Sequence, residues 1–214
     1  MTAVLDDHKL TWVSVPKIAS TSLKSLFFEI ENGFAFRRFR TGGERWHLHR
    51  FYRTCLFRGL PHGRIAEHDR LTVVRDPVRR LLSCYGNRVV HHRALSLRKA
   101  GAELAAAGLP PNPDLPTFLD RLDDYRATVP EIRYHTRPLV EHLGEDATYY
   151  SRVYRFDELD SLAEDICRRT GARAELRRLM GAGPKIDPGE LTQPQLARLR
   201  ATYAADYEAF GRYF

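Results

Sequence analysis

Apolar residues fall along this chain in short runs, each followed by a stretch of helical periodicity, and the alternation recurs three times. Trp12–Val15 is the first run. A turn opened by Pro16 follows, after which Leu23, Leu26, Phe27 and Ile30 recur on one helical face, so the pattern predicts a buried strand and then a helix starting near Ser20. Leu71–Val74 is the second run. Asp76 can cap and Pro77 can open the helix behind it, with Val78, Leu81, Leu82, Tyr85 and Val89 on the apolar face and Ser83 opposite. Tyr150–Phe156 alternates as a third strand and passes into a helix that ends at Gly171. Strand, turn and helix in repeated order predict an α/β fold with a central parallel sheet flanked by helices.

The intervals are less regular. Asn32-Gly33 ends the first helix, Ala35–Phe39 alternates as a strand, and Thr41-Gly42-Gly43 breaks the chain before a His-, Arg- and aromatic-rich stretch, 44–59, that reads as loop passing into helix. Residues 91–148 read as a helical insertion. An alanine-rich helix there leads to the semi-rigid Pro110-Pro111-Asn112-Pro113, and Pro116–Leu122 is a short helix packing by Phe118, Leu119 and Leu122. Gly181–Lys185 reads as a flexible basic loop. Thr192-Gln193-Pro194-Gln195 is a capping box, opening a last helix with Leu196, Leu199, Tyr203, Tyr207 and Phe210 on one face.

With 214 residues, 43% of them hydrophobic, the chain can bury one sizeable core, and a single domain over 1–214 is expected. No apolar run reaches the length of a membrane span. The first residues have neither the basic start nor the apolar stretch of a signal peptide, so a soluble, cytoplasmic protein is expected. Cys55, Cys84 and Cys167 are odd in number and form no C-x-x-C pair, which predicts buried reduced thiols and no structural zinc. A formal charge of +7 and a pI near 9.5 favour anionic partners, whether nucleotide, acidic glycan or nucleic acid.

The first strand–turn–helix narrows that choice. A strand running into a helix start gathers backbone N–H groups at the positive end of the helix dipole. Lys17 adds a full charge there, and Ser20, Thr21 and Ser22 add hydroxyls, so the loop suits a phosphate or sulfate group. It has no glycine between Val15 and Leu26 and lacks the G-x-x-x-x-G-K-[ST] pattern, so a nucleotide here is not held as ATP is in a P-loop. Arg75 sits at the C-terminal end of the second strand, where open parallel sheets bind ligands.

Pro16-Lys17-x-Ala19-Ser20-Thr21-Ser22 resembles the 5′-phosphosulfate loop of sulfotransferases that use 3′-phosphoadenosine-5′-phosphosulfate (PAPS), in the version of the carbohydrate group that includes heparan sulfate 2-O-sulfotransferase. Arg75-Asp76-Pro77 with Ser83 resembles the 3′-phosphate motif of the same enzymes. The resemblance implies that Lys17 contacts the bridging oxygen of the phosphosulfate, that Ser20, Thr21 and Ser22 hold the 5′-phosphate beside Ala19, and that Arg75 and Ser83 hold the 3′-phosphate. It also implies a three-layer fold similar to that of P-loop nucleotide kinases, and no metal. Between the motifs, Trp46-His47-Leu48-His49 is similar to the His-x-His of the 2-O-sulfotransferases, making His49 the counterpart of the base, with His47 next and His68 behind it. The implied reaction moves a sulfuryl group from PAPS to a hydroxyl of a carbohydrate or small metabolite and releases adenosine 3′,5′-bisphosphate (PAP), with no nucleic-acid or membrane partner. Two rivals are an ATP-dependent small-molecule kinase on the same fold, which would want the missing Gly-rich loop, and a non-catalytic polyanion-binding protein, whose binding would fall steeply with salt.

Overall fold

In a computed structural model, which describes residues 2–179 and 182–214, the apolar runs become the strands of one sheet. These are β1 (Ala3–Leu5), β2 (Leu10–Val13), β5 (Asp69–Val74) and β6 (Arg152–Arg155), in the order β1-β2-β5-β6. β2 runs parallel to β5, with Trp12 opposite Leu71, and β5 parallel to β6, with Val73 opposite Tyr154; only β1 is antiparallel. The fold is therefore mixed α/β with a central, mostly parallel sheet flanked by helices. All of β2 and residues 71–74 of β5 are buried, as strands covered on both faces require. The buried threonines of β2 and β5 are hydrogen-bonded: Thr11 Oγ1 lies 2.9 Å from His68 Nδ1, and Thr72 Oγ1 donates to the Val13 carbonyl at 3.0 Å.

The chain divides into two compact units. The first takes Met1–Arg75, Leu139–Met180 and Glu208–Phe214, and the second Asp76–Pro138 and Gly181–Tyr207. In the first, α1 (Ser20–Asn32) packs on the sheet through Phe27, whose ring stacks on Trp12 at 5.3 Å, and ends at Gly33, where φ is +76°. Two strand assignments need correction. The first strand stops at Val13, and Ser14 and Val15 already belong to the loop. Residues 35–38 form no strand; Phe39–Thr41 (β3) and Glu44–Trp46 (β4) make a hairpin instead. Gly42 and Gly43 both have positive φ, which a two-residue hairpin turn demands, while Phe36 leaves the alternating pattern to pack edge-on against Phe28 and Phe51. The short α2 (Leu48–Phe51) follows, and α8 (Leu139–Leu143) and α9 (Leu159–Thr170) also belong to this unit.

In the second unit α3 (Pro77–Cys84) continues into a π-helical turn, Tyr85–His91, followed by α4 (Leu97–Ala106), α5 (Leu115–Asp120), α6 (Leu122–Thr128), α7 (Pro130–Thr136) and α10 (Gln193–Thr202). Leu81, Leu82, Phe118, Tyr125, Ile132 and Leu199 are among its buried residues. Tyr125 and Tyr85 hydroxyls donate to the Pro110 and Pro113 carbonyls, pinning the proline segment. Gly181 of the basic loop lies outside the described residues, but Ala182–Lys185 runs tightly along the π-helical turn. Asn87 Nδ2 donates to the Ala182 carbonyl at 3.0 Å, and a Cβ on Gly86 would stand 2.3 Å from the Pro184 carbonyl oxygen. Gly86→Ala must therefore displace this segment, at a cost of about 1–3 kcal/mol. Hydrogen exchange and limited proteolysis should show 182–187 loosened while α5–α7 keep their protection.

Among the described residues no helix is long and apolar enough to cross a membrane. No disulfide is formed among them; Cys84 is buried as expected, whereas Cys55 and Cys167 are only partly so.

Candidate active site

The loop after β2 is held from below and strained above. Val15 and Ile18 are buried in the core, while Lys17 and Ala19 between and after them take left-handed backbone, with φ of +68° and +46°. For a residue with a Cβ that conformation costs roughly 1–2 kcal/mol, a strain of the sort that accumulates where function requires it. Ala19 is also the N-cap of α1 and has no side-chain oxygen to offer, and the first turn carries no acidic residue. The N–H groups that open this 13-residue helix thus meet no side-chain cap, in contrast to α3, whose Asp76 accepts from Arg79 N at 2.8 Å. This donor set fits an anionic group.

The three hydroxyls of the first turn are differently engaged. Ser20 and Thr21 are half-buried; Ser22 is buried, accepting from Leu179 N at 2.9 Å and donating to its carbonyl at 3.4 Å. Thr21 Oγ1 lies 3.2 Å from His49 Nε2, so the leading histidine meets the anion loop directly. His47 occupies the N-cap position of α2 without a side-chain cap, its ring centroid 6.0 Å from that of His49. His68 lies elsewhere, buried against Thr11 and near Asp6.

On its other side the His49 ring meets a residue that the sequence reading passed over. Lys24 is only 1% exposed, and its Nζ lies 3.2 Å from His49 Nδ1 and 3.0 Å from Thr54 Oγ1, which is 3.2 Å from Ser14 Oγ. Burial pushes its ammonium down to about 8 against a nearby Cys55 that acts in the opposite sense. The available signal was its place one helical turn beyond Thr21 and one before Phe28, on the edge of the apolar face.

The folded chain consequently binds fewer protons than the unfolded one between pH 8 and the ordinary lysine value of 10.5. Lys24 makes the protein more stable as pH rises through that window, and below pH 8 it carries a penalty of about 3 kcal/mol. Urea unfolding at pH 7.5 and 9.5 should therefore show wild type gaining about 2 kcal/mol relative to Lys24→Met.

Arg75 stands at the end of β5, its Cζ 4.5 Å from the centroid of the Phe156 ring, so its planar cation is supported from one face. Ser83 is half-buried on α3. Asp76 accepts the Tyr207 hydroxyl at 2.8 Å as well as capping α3. Among the described residues no group of three His, Cys, Asp or Glu side chains is placed to hold a metal.

A parallel strand leading through a lysine-bearing loop to an uncapped helix start, with a histidine at its edge, suits an anionic ligand. The chain belongs to the sulfotransferase family, whose sequence model matches residues 1–213, and it is therefore a transferase of the sulfuryl-transfer class. No curated protein and no solved structure matches it.

Proposed function

We propose that the chain is a PAPS-dependent sulfotransferase, acting as one domain over residues 1–214 on a three-layer fold of the P-loop-kinase kind, and that it sulfates a hydroxyl of a carbohydrate or small metabolite. The observation that carries this reading is the uncapped start of α1 beside left-handed Lys17, in a chain of this family. In this reading the backbone of Ala19–Ser22 and the hydroxyls of Ser20 and Thr21 hold the 5′-phosphate. Ser22 contributes chiefly by fixing the loop to Leu179. Arg75 and Ser83 take the 3′-phosphate. His49 receives the proton of the acceptor hydroxyl at Nε2, with His47 as its neighbour, while the acceptor oxygen bonds to sulfur and the sulfur–oxygen bond to the nucleotide breaks. Lys17 neutralises the charge left on that oxygen, so positioning and charge dominate the catalysis and no metal is required.

The β3–β4 hairpin favours a carbohydrate as the acceptor. Phe39 stacks on Trp46 at 6.0 Å, Arg50 lies over Trp46 at 4.8 Å and pairs with Glu44, and Arg37, Arg38, Arg40 and Arg45 are exposed on the same stretch of chain that leads to His49.

Calorimetric titration with PAP, ATP and 5′-AMP tests the nucleotide. PAP should bind preferentially, and Arg75→Ala should remove the preference while sparing 5′-AMP. Equal or absent binding of all three overturns the assignment and leaves a polyanion-binding protein.

A further inference from the structure

Lys24 is an anomaly that the reaction above does not use. Lysine is almost never fully buried without an anionic partner. Among the described residues no carboxylate pairs with Lys24, and its Nζ faces an imidazole nitrogen and a hydroxyl instead. His47 flanks His49, and Cys55 faces Lys24. Farther along α1, Glu29 pairs with Arg177 and Glu31 accepts the Tyr52 hydroxyl; on α9, Asp165 is taken up by Arg168, Arg169 and Tyr154.

The ammonium form of Lys24 fixes the tautomer of His49, and the neutral amine opens the other one. An ammonium has three donors and no acceptor, so beside Nδ1 it requires Nδ1 to accept, which leaves the neutral ring's proton on Nε2. Nε2 then has no lone pair for an acceptor hydroxyl, and a second positive charge on the ring is disfavoured. A neutral amine can instead accept from Nδ1–H, turning the Nε2 lone pair toward Thr21 and the loop.

We propose that Lys24 is the positioning residue of this active site, and that its neutral amine selects the base-competent tautomer of His49 and takes the proton that the imidazole passes on. The inference rests on the sulfotransferase reading. In the step, the acceptor O–H proton moves to Nε2 and the Nδ1 proton moves to Nζ, forming an ammonium that keeps its hydrogen bond to Thr54. The acceptor oxygen bonds to sulfur, and the nucleotide leaves with the electron pair of the broken sulfur–oxygen bond. Lys24 returns its proton to solvent through His49 by the reverse path. Burial has already brought the ammonium close enough to neutral pH for this exchange.

The test compares kcat/KM against pH for wild type, Lys24→Gln and Lys24→Arg. Wild type should have an ascending limb near pH 8. Glutamine can accept from Nδ1–H but cannot titrate, so its limb should move to the ordinary imidazole range near 6.5. Arginine stays charged and should lose at least about 100-fold at every pH. Nitrogen-15 NMR of the His49 ring, assigned with His49→Gln, reads the same claim without turnover. In wild type its proton should move from Nε2 to Nδ1 between pH 6.5 and about 9.5, and the Lys24→Gln variant should hold Nδ1–H throughout. An unchanged limb in the Gln variant, or one fixed tautomer in wild type, overturns the proposal. A tautomer switch in a protein that neither prefers PAP nor transfers sulfuryl groups would instead uphold the Lys24–His49 pair and overturn the functional reading.

Discussion

Lys17→Ala is expected to lower kcat by roughly a hundredfold to a thousandfold while changing the affinity for PAP far less. The split follows from when the charge arises. The oxygen that leaves sulfur gains its charge as the bond breaks, so a preorganised cation there stabilises the transition state more than the bound nucleotide, and losing one such donor typically has an effect of this size. The backbone of the loop makes a second, independent reading available. Lys17 has φ of +68°, where a Cβ is disfavoured and glycine is not. Lys17→Gly and Lys17→Ala both remove the cation, so both should be nearly inactive, but the glycine variant should be more stable than the alanine one by about 1 kcal/mol. Steady-state kinetics with thermal unfolding of both variants would check this. A glycine variant that is active, or no more stable than alanine, would mean that the strained lysine is incidental to the chemistry.

The anion loop was legible because each of its parts announces itself locally. An apolar run, Pro16, a lysine and three hydroxyls before a periodic face can be read one residue after another, and the strand, loop and α1 stand almost where that reading puts them. What could not be read depends on residues remote in the chain. Lys24 looks like one more solvated charge on an amphipathic helix until α2 returns His49 to it, and the segment after α2 returns Thr54. Ser22 has the same hydroxyl as Thr21, yet Leu179 takes it and leaves Thr21 to His49. The alternation at 35–39 misled because period-two spacing also serves an aromatic cluster, and the Gly42-Gly43 turn selected its own flanking residues for the ladder. Local pattern thus located the loop and the helix start that follows it, and only tertiary contact brought Lys24 and His49 together beside them.

The same distinction predicts the largest stability loss in the second unit. Arg79 and Arg80 are adjacent and look alike in sequence, but Arg79 is exposed and Arg80 is completely buried. The Arg80 guanidinium donates to the carbonyls of His135 and Arg137 and lies 5.9 Å from the Tyr203 ring centroid. These carbonyls close α7, where the helix itself has no partners for them. Arg126 and the Tyr203 hydroxyl serve the intervening Thr136 carbonyl, at 2.8 Å each. Arg80→Ala removes two charged donors and empties the volume of a long side chain, so a loss of about 3–5 kcal/mol is expected in urea unfolding. Arg80→Met refills most of the volume without the donors and should recover about half of that. Arg80→Lys keeps the charge but cannot fork to two carbonyls, and should do no better than methionine. Because Arg80 and Arg126 close the same helix end, the double variant should lose less than the sum of the singles, by roughly 1 kcal/mol or more. Strict additivity would show that the two arginines act apart. If Ser83 holds the 3′-phosphate as proposed, the consequence extends along α3: Ser83 lies one turn beyond Arg80 on that helix, so loosening its anchor should erode the preference for PAP over 5′-AMP even under conditions where Arg80→Met remains folded.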